Sequence, residues 1–276
     1  RMKKKDLIIV GKKSFIGSSI YKILKNKRKI EIMSLENFMR LNQKSINKFK
    51  YICNCTFNKN NIFKSYNYKF DYDLKIANKI KNLDINFIFL SSRKVYKPMF
   101  NIKETQKLKP IDIYSKNKIK IEKLLKKKLS SKLLILRISN VIGLKKFKNT
   151  RQVHKTFFDN YLDMCNGNKN YKFYNVYKDF ISINQLSKIF SLIFKKRLTG
   201  IYNVSLGRKI SLKEIISWLD KFNYQRKIFF HRETNIQQIK KNSFYLNNMK
   251  LKKKIKYKPQ KKDLKRFCLQ LSKTIH

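Results

Sequence analysis

The first half of the chain alternates short β-rich runs with stretches of helical length, and this alternation restricts the fold more than any other feature. Leu7-Ile8-Ile9-Val10 reads as a first strand, with Gly11 and then a helix over residues 17–26 following it. Residues 29–33, 51–55, 86–90 and 133–138 read as further strands, and helices are expected over 70–81 and 114–128. Strands and helices repeating at this length predict an α/β fold, a doubly wound parallel sheet with helices on both faces and a ligand across the carboxyl ends of its strands. Past residue 150 the alternation turns irregular. A helix over 185–194, a short strand over 201–205 and a helix from Leu212 are expected there, the last because Ser211 and Glu214 have capping-box spacing. No run rich in Gly, Pro or Ser separates the two parts, so the second is expected to pack on the first.

With 276 residues, 42% of them hydrophobic and 13% aromatic, the chain has apolar material for one large domain or for a large and a small lobe, and wholesale disorder is excluded. No apolar run approaches the ~18 residues of a membrane span, and residues 7–10 are too short an apolar stretch for a signal peptide. A cytoplasmic protein is expected. Sixty-eight Lys and Arg against 16 Asp and Glu leave a net charge of +52, which taken alone points to nucleic acid or an anionic membrane. The lysines, however, are spread along the whole chain and accompany abundant Asn, Ile, Phe and Tyr, as AT-rich codons supply them. Most are therefore expected on solvated faces rather than in a nucleic-acid site, and an attraction for anionic small molecules fits the same charge. Cys53 and Cys55 lie two apart in an apolar run, Cys165 and Cys268 are isolated, and His154, His231 and His276 lack ligand spacing, so neither a metal site nor a disulfide is expected.

Gly11-Lys12-Lys13-Ser14-Phe15-Ile16-Gly17 joins the first strand to the first helix. A glycine at the turn lets the backbone bend, one at the far end lets helix and sheet approach, and the helix amino terminus offers free N–H groups to a pyrophosphate. Ser14 occupies the middle position, where a third glycine normally admits the phosphates. It is expected to be tolerated because its side chain is small and can itself donate a hydrogen bond. Gly11, Ser14, Phe15 and Ile16 would then line a dinucleotide's pyrophosphate; an ordinary strand-to-helix turn is the alternative.

Ser91-Ser92-Arg93-Lys94-Val95-Tyr96 ends the strand near residue 90, and 22 residues after Ser92 comes Tyr114-Ser115-Lys116-Asn117-Lys118 at the start of a helix. Tyr and Lys four apart share a helix face, so the ammonium is expected to lower the phenol's pKa from ~10 towards neutrality, where it serves as a general acid or base. With 15 tyrosines and many lysines the spacing alone arises by chance. Its place after a strand carrying a serine pair, in a chain opening with a dinucleotide-type turn, gives it weight.

These motifs, in this order, resemble the extended short-chain dehydrogenase/reductase superfamily, and within it the NAD-dependent epimerase/dehydratase family that acts on nucleotide sugars. Residues 11–17 are similar to the family's glycine loop, 89–96 to its Ser-Ser-x-x-Val-Tyr strand end, and 110–118 to its Pro-x-x-x-Tyr-x-x-x-Lys segment, with Glu122 where an acid often stands. Residues 136–143, 178–184, 200–204 and 244–259 resemble its Leu-Arg-x-x-Asn-Val-Tyr-Gly, Arg-Asp-Phe-Val-x-Val-Asp, Gly-x-Tyr-Asn-Val and closing patterns. The resemblance implies a Rossmann-type dinucleotide-binding domain over 1–150. Residues 151–276 would form mostly a smaller substrate-binding lobe, with some segments returning to the Rossmann core.

It also implies roles. Tyr114 would be the catalytic acid/base, Lys118 would hold the nicotinamide ribose and lower the tyrosine's pKa, and Ser92 would hydrogen-bond the reacting sugar oxygen. Gly11, Lys13, Ser14, Phe15, Ile16, Gly17, Ser34 and Lys118 are the expected cofactor residues, Ser92, Asn140 and Lys178 the expected substrate residues, with no metal. Arg93-Lys94 stand where the family's 4,6-dehydratases carry Asp-Glu, which disfavours dehydration. C4 epimerisation with retained NAD and reduction of a 4-keto sugar by NADPH both stay open, within the nucleotide-sugar chemistry of polysaccharide biosynthesis. NADP is expected over NAD, because neutral Ser34 falls where NAD-preferring relatives place an acid and Lys13 can reach a 2′-phosphate. Glu36, two residues further on, argues the other way. A homodimer is implied, and a non-catalytic dinucleotide-binding sensor or scaffold is the alternative, against which both Tyr114 and Lys118 are present.

Overall fold

The structure is a computed structural model that describes residues 4–144, 156–167, 173–223, 239 and 242–275. Leu7, Ile8, Ile9 and Val10 are at most 1% exposed, as a parallel strand covered on both faces requires. They lie in β1 (Lys5–Val10), which pairs in parallel with β2 (Ile30–Met33) on one side and β3 (Phe49–Asn54) on the other. β4 (Asn86–Ser92) and β5 (Leu133–Ile138) extend the sheet beyond β3. The helices between them are α1 (Phe15–Leu24), the short α2 (Leu35–Arg40), α3 (Gln43–Ile46) and α4 (Asn60–Phe63), then α5 (Tyr72–Ile80) and α6 (Ile113–Leu129).

The later part supplies β6 (Asn140–Ile142), α7 (Phe157–Cys165), β7 (Tyr177–Lys178), β8 (Phe180–Ser182), α8 (Ile183–Lys196), β9 (Gly200–Val204), β10 (Ile210–Ser211) and α9 (Leu212–Leu219). Two further helices, Met249–Ile255 and Lys261–Ile275, follow. β9 joins β5 in parallel, so the sheet order is β2-β1-β3-β4-β5-β9. This is the doubly wound Rossmann-type sheet that the alternation predicts. The winding reverses between β1 and β3, which opens a crevice at their carboxyl ends.

Strand alternation divides the core in two. Leu7, Ile9, Cys53 and Ile88 pack with Ile20 and Leu24 of α1 and Phe190 of α8. Ile8, Val10, Phe87 and Phe89 pack with Ile76 and Ile80 of α5 and Leu125 of α6. A third cluster, with Tyr161, Trp218, Leu264 and Cys268, joins α7, α9 and the helix Lys261–Ile275. Two-stranded pairings, β6 with β8 and β7 with β10, connect this cluster to the sheet's edge. Asp179, fully buried between them, accepts the backbone N–H groups of Leu206 (3.0 Å), Gly207 (3.3 Å) and Leu246 (3.0 Å). Burial pushes its carboxyl up to about 7 despite these donors.

Some boundaries differ from expectation for local reasons. β4 continues through Ser92 because Ser91 and Ser92 pair with Arg137 and Ile138 of β5. α5 starts at Tyr72 because Asp71 caps it, accepting from the Leu74 N–H at 2.9 Å. Only half of the Ser211–Glu214 capping box forms: the Ser211 hydroxyl accepts the Glu214 N–H at 3.1 Å, while the Glu214 carboxylate pairs with Lys261. The boundary at 150/151 and His154, His231 and His276 lie outside the described residues. Among the described residues no helix is long and apolar enough to cross a membrane.

Candidate active site

Gly11 ends β1 with φ +128°, and a Cβ there would lie 3.0 Å from the Cys55 carbonyl carbon and 3.1 Å from the Thr56 nitrogen. Both the backbone angle and the close passage of the chain after β3 require glycine. Gly17 lies in the first turn of α1 against the sheet, where a Cβ would come 2.9 Å from Ile9 Cγ2. Ser14 caps α1: its hydroxyl accepts from the Gly17 N–H (3.1 Å) and donates to the Gly11 carbonyl (2.8 Å). The hydroxyl expected to face a phosphate is thus used inside the turn. The N–H groups of Phe15 and Ile16 have no partner among the described residues, and both residues line the central cavity. These backbone donors and the glycine turn suit a diphosphate. Lys13 is exposed and Ser34 caps α2 by accepting the Asn37 N–H at 3.1 Å; neither lines the cavity.

The second half of the site depends on where α6 begins. Asp112 and Ser115 cap it reciprocally, with Ser115 N–H to Asp112 Oδ1 at 2.8 Å and Asp112 N–H to Ser115 Oγ at 3.0 Å. Tyr114 therefore falls in the first turn, beside the end of β4, and hydrogen-bonds Ser92. Lys118, one turn further on and 5% exposed, donates Nζ to the Leu90 carbonyl at 2.9 Å. Its ammonium lies 4.4 Å from the Phe57 ring centroid, 4.5 Å from Phe89 and 5.9 Å from Tyr114. The Lys94 ammonium lies 5.8 Å from the Tyr114 ring and pairs with Asp112 at 2.8 Å.

Ser92, Tyr114 and Lys118 thus come together, but the phenol's titration runs against expectation. Burial pushes Tyr114 up to about 12; the Ser92 hydrogen bond opposes the rise, and the carboxylates of Asp112 and Asp73 add to it. Lys118 does not bring it towards neutrality because the ammonium is itself desolvated, which lowers its own pKa, and it is directed to Leu90 and answered by Asp73. Asp73, on α5 and 4% exposed, accepts from Asn54 Nδ2 at 2.8 Å. Burial pushes its carboxyl up to about 7 while Lys118 pulls it down.

A cavity of about 720 Å³ runs from the α1 amino terminus past Ser92, Tyr114 and Lys118 to the second lobe. Asn140 lines it and ties β6 to β8 by donating Nδ2 to the Asp179 carbonyl at 3.0 Å. Lys178 lines it too, pushed down to about 8 by burial and by the neighbouring Arg93 and Lys94. Arg93, also in the lining, stacks its guanidinium 4.0 Å from the centroid of the Phe244 ring. Sequence reasoning missed Cys55, Thr56 and Phe57, which line the cavity just past β3, and the supporting Asp73 and Asp112. The rule that ligands lie at the carboxyl ends of strands points to the first three. The Asp112-x-x-Ser115 cap was readable as a helix start.

The model of the NAD dependent epimerase/dehydratase family matches residues 43–205, more than half of the chain. Among solved structures, UDP-N-acetylglucosamine 4-epimerase from Methanobrevibacter ruminantium M1, in complex with UDP-N-acetylmuramic acid, is similar with a TM-score of 0.76 and 22% identity, over 99% of this chain and 98% of that one. The Bordetella bronchiseptica enzyme WbmG in complex with NAD gives 0.74 and 14%, over 99% and 96%. The dTDP-glucose 4,6-dehydratase from Bacillus anthracis str. Ames, in complex with NAD, gives 0.73 and 13%, over 98% and 96%. At these identities the structures establish a shared fold. With the family match spanning the end of β3, the serine pair, Tyr114 and Lys118, the chain belongs to the NAD dependent epimerase/dehydratase family.

Proposed function

We propose that this protein moves a hydride between a nicotinamide dinucleotide and the sugar of a nucleotide sugar, as an epimerase or a 4-keto-sugar reductase. The observation that carries the proposal is the meeting of Ser92, Tyr114 and Lys118 in the cavity onto which the α1 amino terminus opens. The bound dinucleotide would supply the hydride acceptor or donor. Phe15 and Ile16 would hold its diphosphate through backbone N–H groups, and Lys118 its ribose. As a C–H bond of the sugar breaks and its electron pair leaves as hydride, Tyr114 takes the proton of the attached hydroxyl; in the reverse direction it returns that proton to the keto oxygen. Ser92 orients the phenol and the sugar oxygen, and Asn140 and Lys178 hold the substrate. A phenol raised to about 12 is protonated at neutral pH, ready as the acid for reduction. The ammonium groups of Lys94 and Lys118 lie 5.8 and 5.9 Å from its ring but are taken up by Asp112 and by Leu90 and Asp73, so the acid role is the one its surroundings favour.

Tyr114→Phe is expected to lower turnover by about 10²-fold or more, with dinucleotide affinity nearly unchanged; equal loss of both would make Tyr114 structural. Mass spectrometry of the purified protein separates the two reactions, retained NAD supporting the epimerase and an empty site filled by NADPH the reductase. Bound dinucleotide with no turnover of any nucleotide sugar would support the sensor instead. NADP is preferred on the same reading, because Ser34 is neutral and the exposed Lys13 can reach a 2′-phosphate, while the opposing acid Glu36 pairs with Arg40. Dissociation constants for NADPH and NADH on wild type and Lys13→Ala test this. Equal or tighter NADH binding, with no selective loss of NADPH in the variant, would refute the preference.

A further inference from the structure

The chain's excess of lysine explains cations on solvated faces, but not those drawn into a cavity. Arg93, Lys94 and Lys178 all line the cavity that holds Ser92 and Tyr114. Arg93 and Lys94 directly follow Ser92, and the Lys94 ammonium is 5.8 Å from the Tyr114 ring. Arg93 lies over Phe244, a fully buried ring that backs one face of the guanidinium. Lys178 reaches the same place from β7 and is repelled by both. Among the described residues, Asp112 is the carboxylate that answers this group, and it is bonded to Lys94. Asp179, next to Lys178 in sequence, is turned away onto the backbone of Leu206, Gly207 and Leu246. Among the described residues three cations thus face one carboxylate in a partly desolvated cleft, which is costly unless an anion joins them.

We propose that the substrate's sugar carries a carboxylate, held by the forked guanidinium of Arg93 together with Lys178 and Lys94. The proposal rests on the nucleotide-sugar function above and names its substrate class. A guanidinium matches a carboxylate with two parallel hydrogen bonds, which a neutral hydroxymethyl group cannot accept equally. Position favours a group on the sugar over the nucleotide's diphosphate. With the reacting oxygen of C4 at Ser92 and Tyr114, the substituent on C5 is its neighbour, whereas the diphosphate leaves from C1 on the far side of the ring. The dinucleotide's own phosphates would lie at the other end, at Phe15 and Ile16.

The test is calorimetric binding to the dinucleotide-loaded protein, using UDP-glucuronate, UDP-glucose and UDP, with the deoxythymidine diphosphate series alongside. The hexuronate is expected to bind about 10- to 100-fold more tightly than the neutral sugar, the range of one or two charge-assisted hydrogen bonds. Arg93→Gln should bring the two within about threefold of each other, with UDP affinity little changed, and Lys94→Gln should act in the same direction should Arg93→Gln fail to fold. Equal affinity of wild type for hexuronate and neutral sugar would overturn the proposal while leaving nucleotide-sugar binding intact. So would an Arg93→Gln variant that loses UDP and UDP-glucuronate to the same degree, which would assign the cations to the diphosphate. Failure of the loaded protein to bind any nucleotide sugar would instead remove the proposed function itself.

Discussion

Ser91 and Ser92 are neighbours on one strand, yet they belong to different parts of the molecule. Ser91 donates to Glu122 Oε1 at 2.6 Å and joins a sealed network: Glu122 takes two hydrogen bonds from Arg137 (3.0 and 2.6 Å), Arg137 donates to the Tyr96 hydroxyl (2.7 Å), and Tyr96 donates to Asn203 (3.0 Å). Arg137, Glu122, Tyr96 and Asn203 are each at most 2% exposed. Both serines border the cavity, but the Ser92 hydroxyl meets Tyr114 there while that of Ser91 is taken by Glu122. The first cluster balances its charges internally and so fixes β4, β5 and α6 against one another. The second keeps excess positive charge beside an open volume, which suits it to receive a ligand rather than to hold the fold. Successive residues of a strand point to opposite sides, and here that period sends one hydroxyl to the buried network and the next to Tyr114.

Substitutions on either side of the strand test this division. Glu122→Ala strands a buried guanidinium and is expected to cost about 3–5 kcal/mol of stability, read as a shifted midpoint in chemical denaturation. A loss under 1 kcal/mol would mean the network is not the support described. Ser92→Ala should lower turnover by about 10²-fold, close to 2.7 kcal/mol at the transition state, while the denaturation midpoint stays put. Ser91→Ala should do the reverse, costing about 1.5 kcal/mol of stability with turnover near wild type. Should both serines move the same observable, the division is wrong.

Asp73 stands between the two regions, buried like the network but answering Lys118 at the cavity. Its folded pKa of about 7 lies above the ordinary carboxylate value of 3.8, so the native state holds an extra proton between those limits. Its contribution to stability is present below pH ~4 and lost as the pH rises towards ~7. Asp73→Asn, which can still accept from Asn54, should flatten that decline, leaving the similar share of Asp179. An unchanged pH profile between 4 and 7 would show that Asp73 is ionised throughout.

Most of the sheet was legible because its strands are short apolar runs covered on both faces and separated by helices, a pattern that local sequence carries. The convergence of Ser92 with Tyr114 was suggested only by the order of motifs, since distance between a strand end and a helix start depends on the whole crossover. Two things were hidden. Ser14 has a small hydroxyl in the right place, but its use as a helix cap depends on the backbone angles of the turn. The phenol's rise was hidden too, because spacing shows the helpful lysine and not the desolvation or the buried Asp73 that Lys118 also serves. Asp73 itself comes from a different helix, 45 residues before Lys118 in the sequence, where no short-range pattern reaches.

The most direct test of the account is a double-mutant cycle on turnover at saturating dinucleotide, combining Ser92→Ala with Tyr114→Phe and, in parallel, Ser91→Ala with Tyr114→Phe. Residues acting as one unit are strongly non-additive, whereas independent ones add to within about 0.5 kcal/mol. The prediction is that Ser92→Ala costs almost nothing further once Tyr114 is Phe, while Ser91→Ala has the same small effect in either background. Full additivity of Ser92 and Tyr114, or coupling of Ser91 as large as that of Ser92, would contradict the assignment of the chemistry to the cavity side of β4.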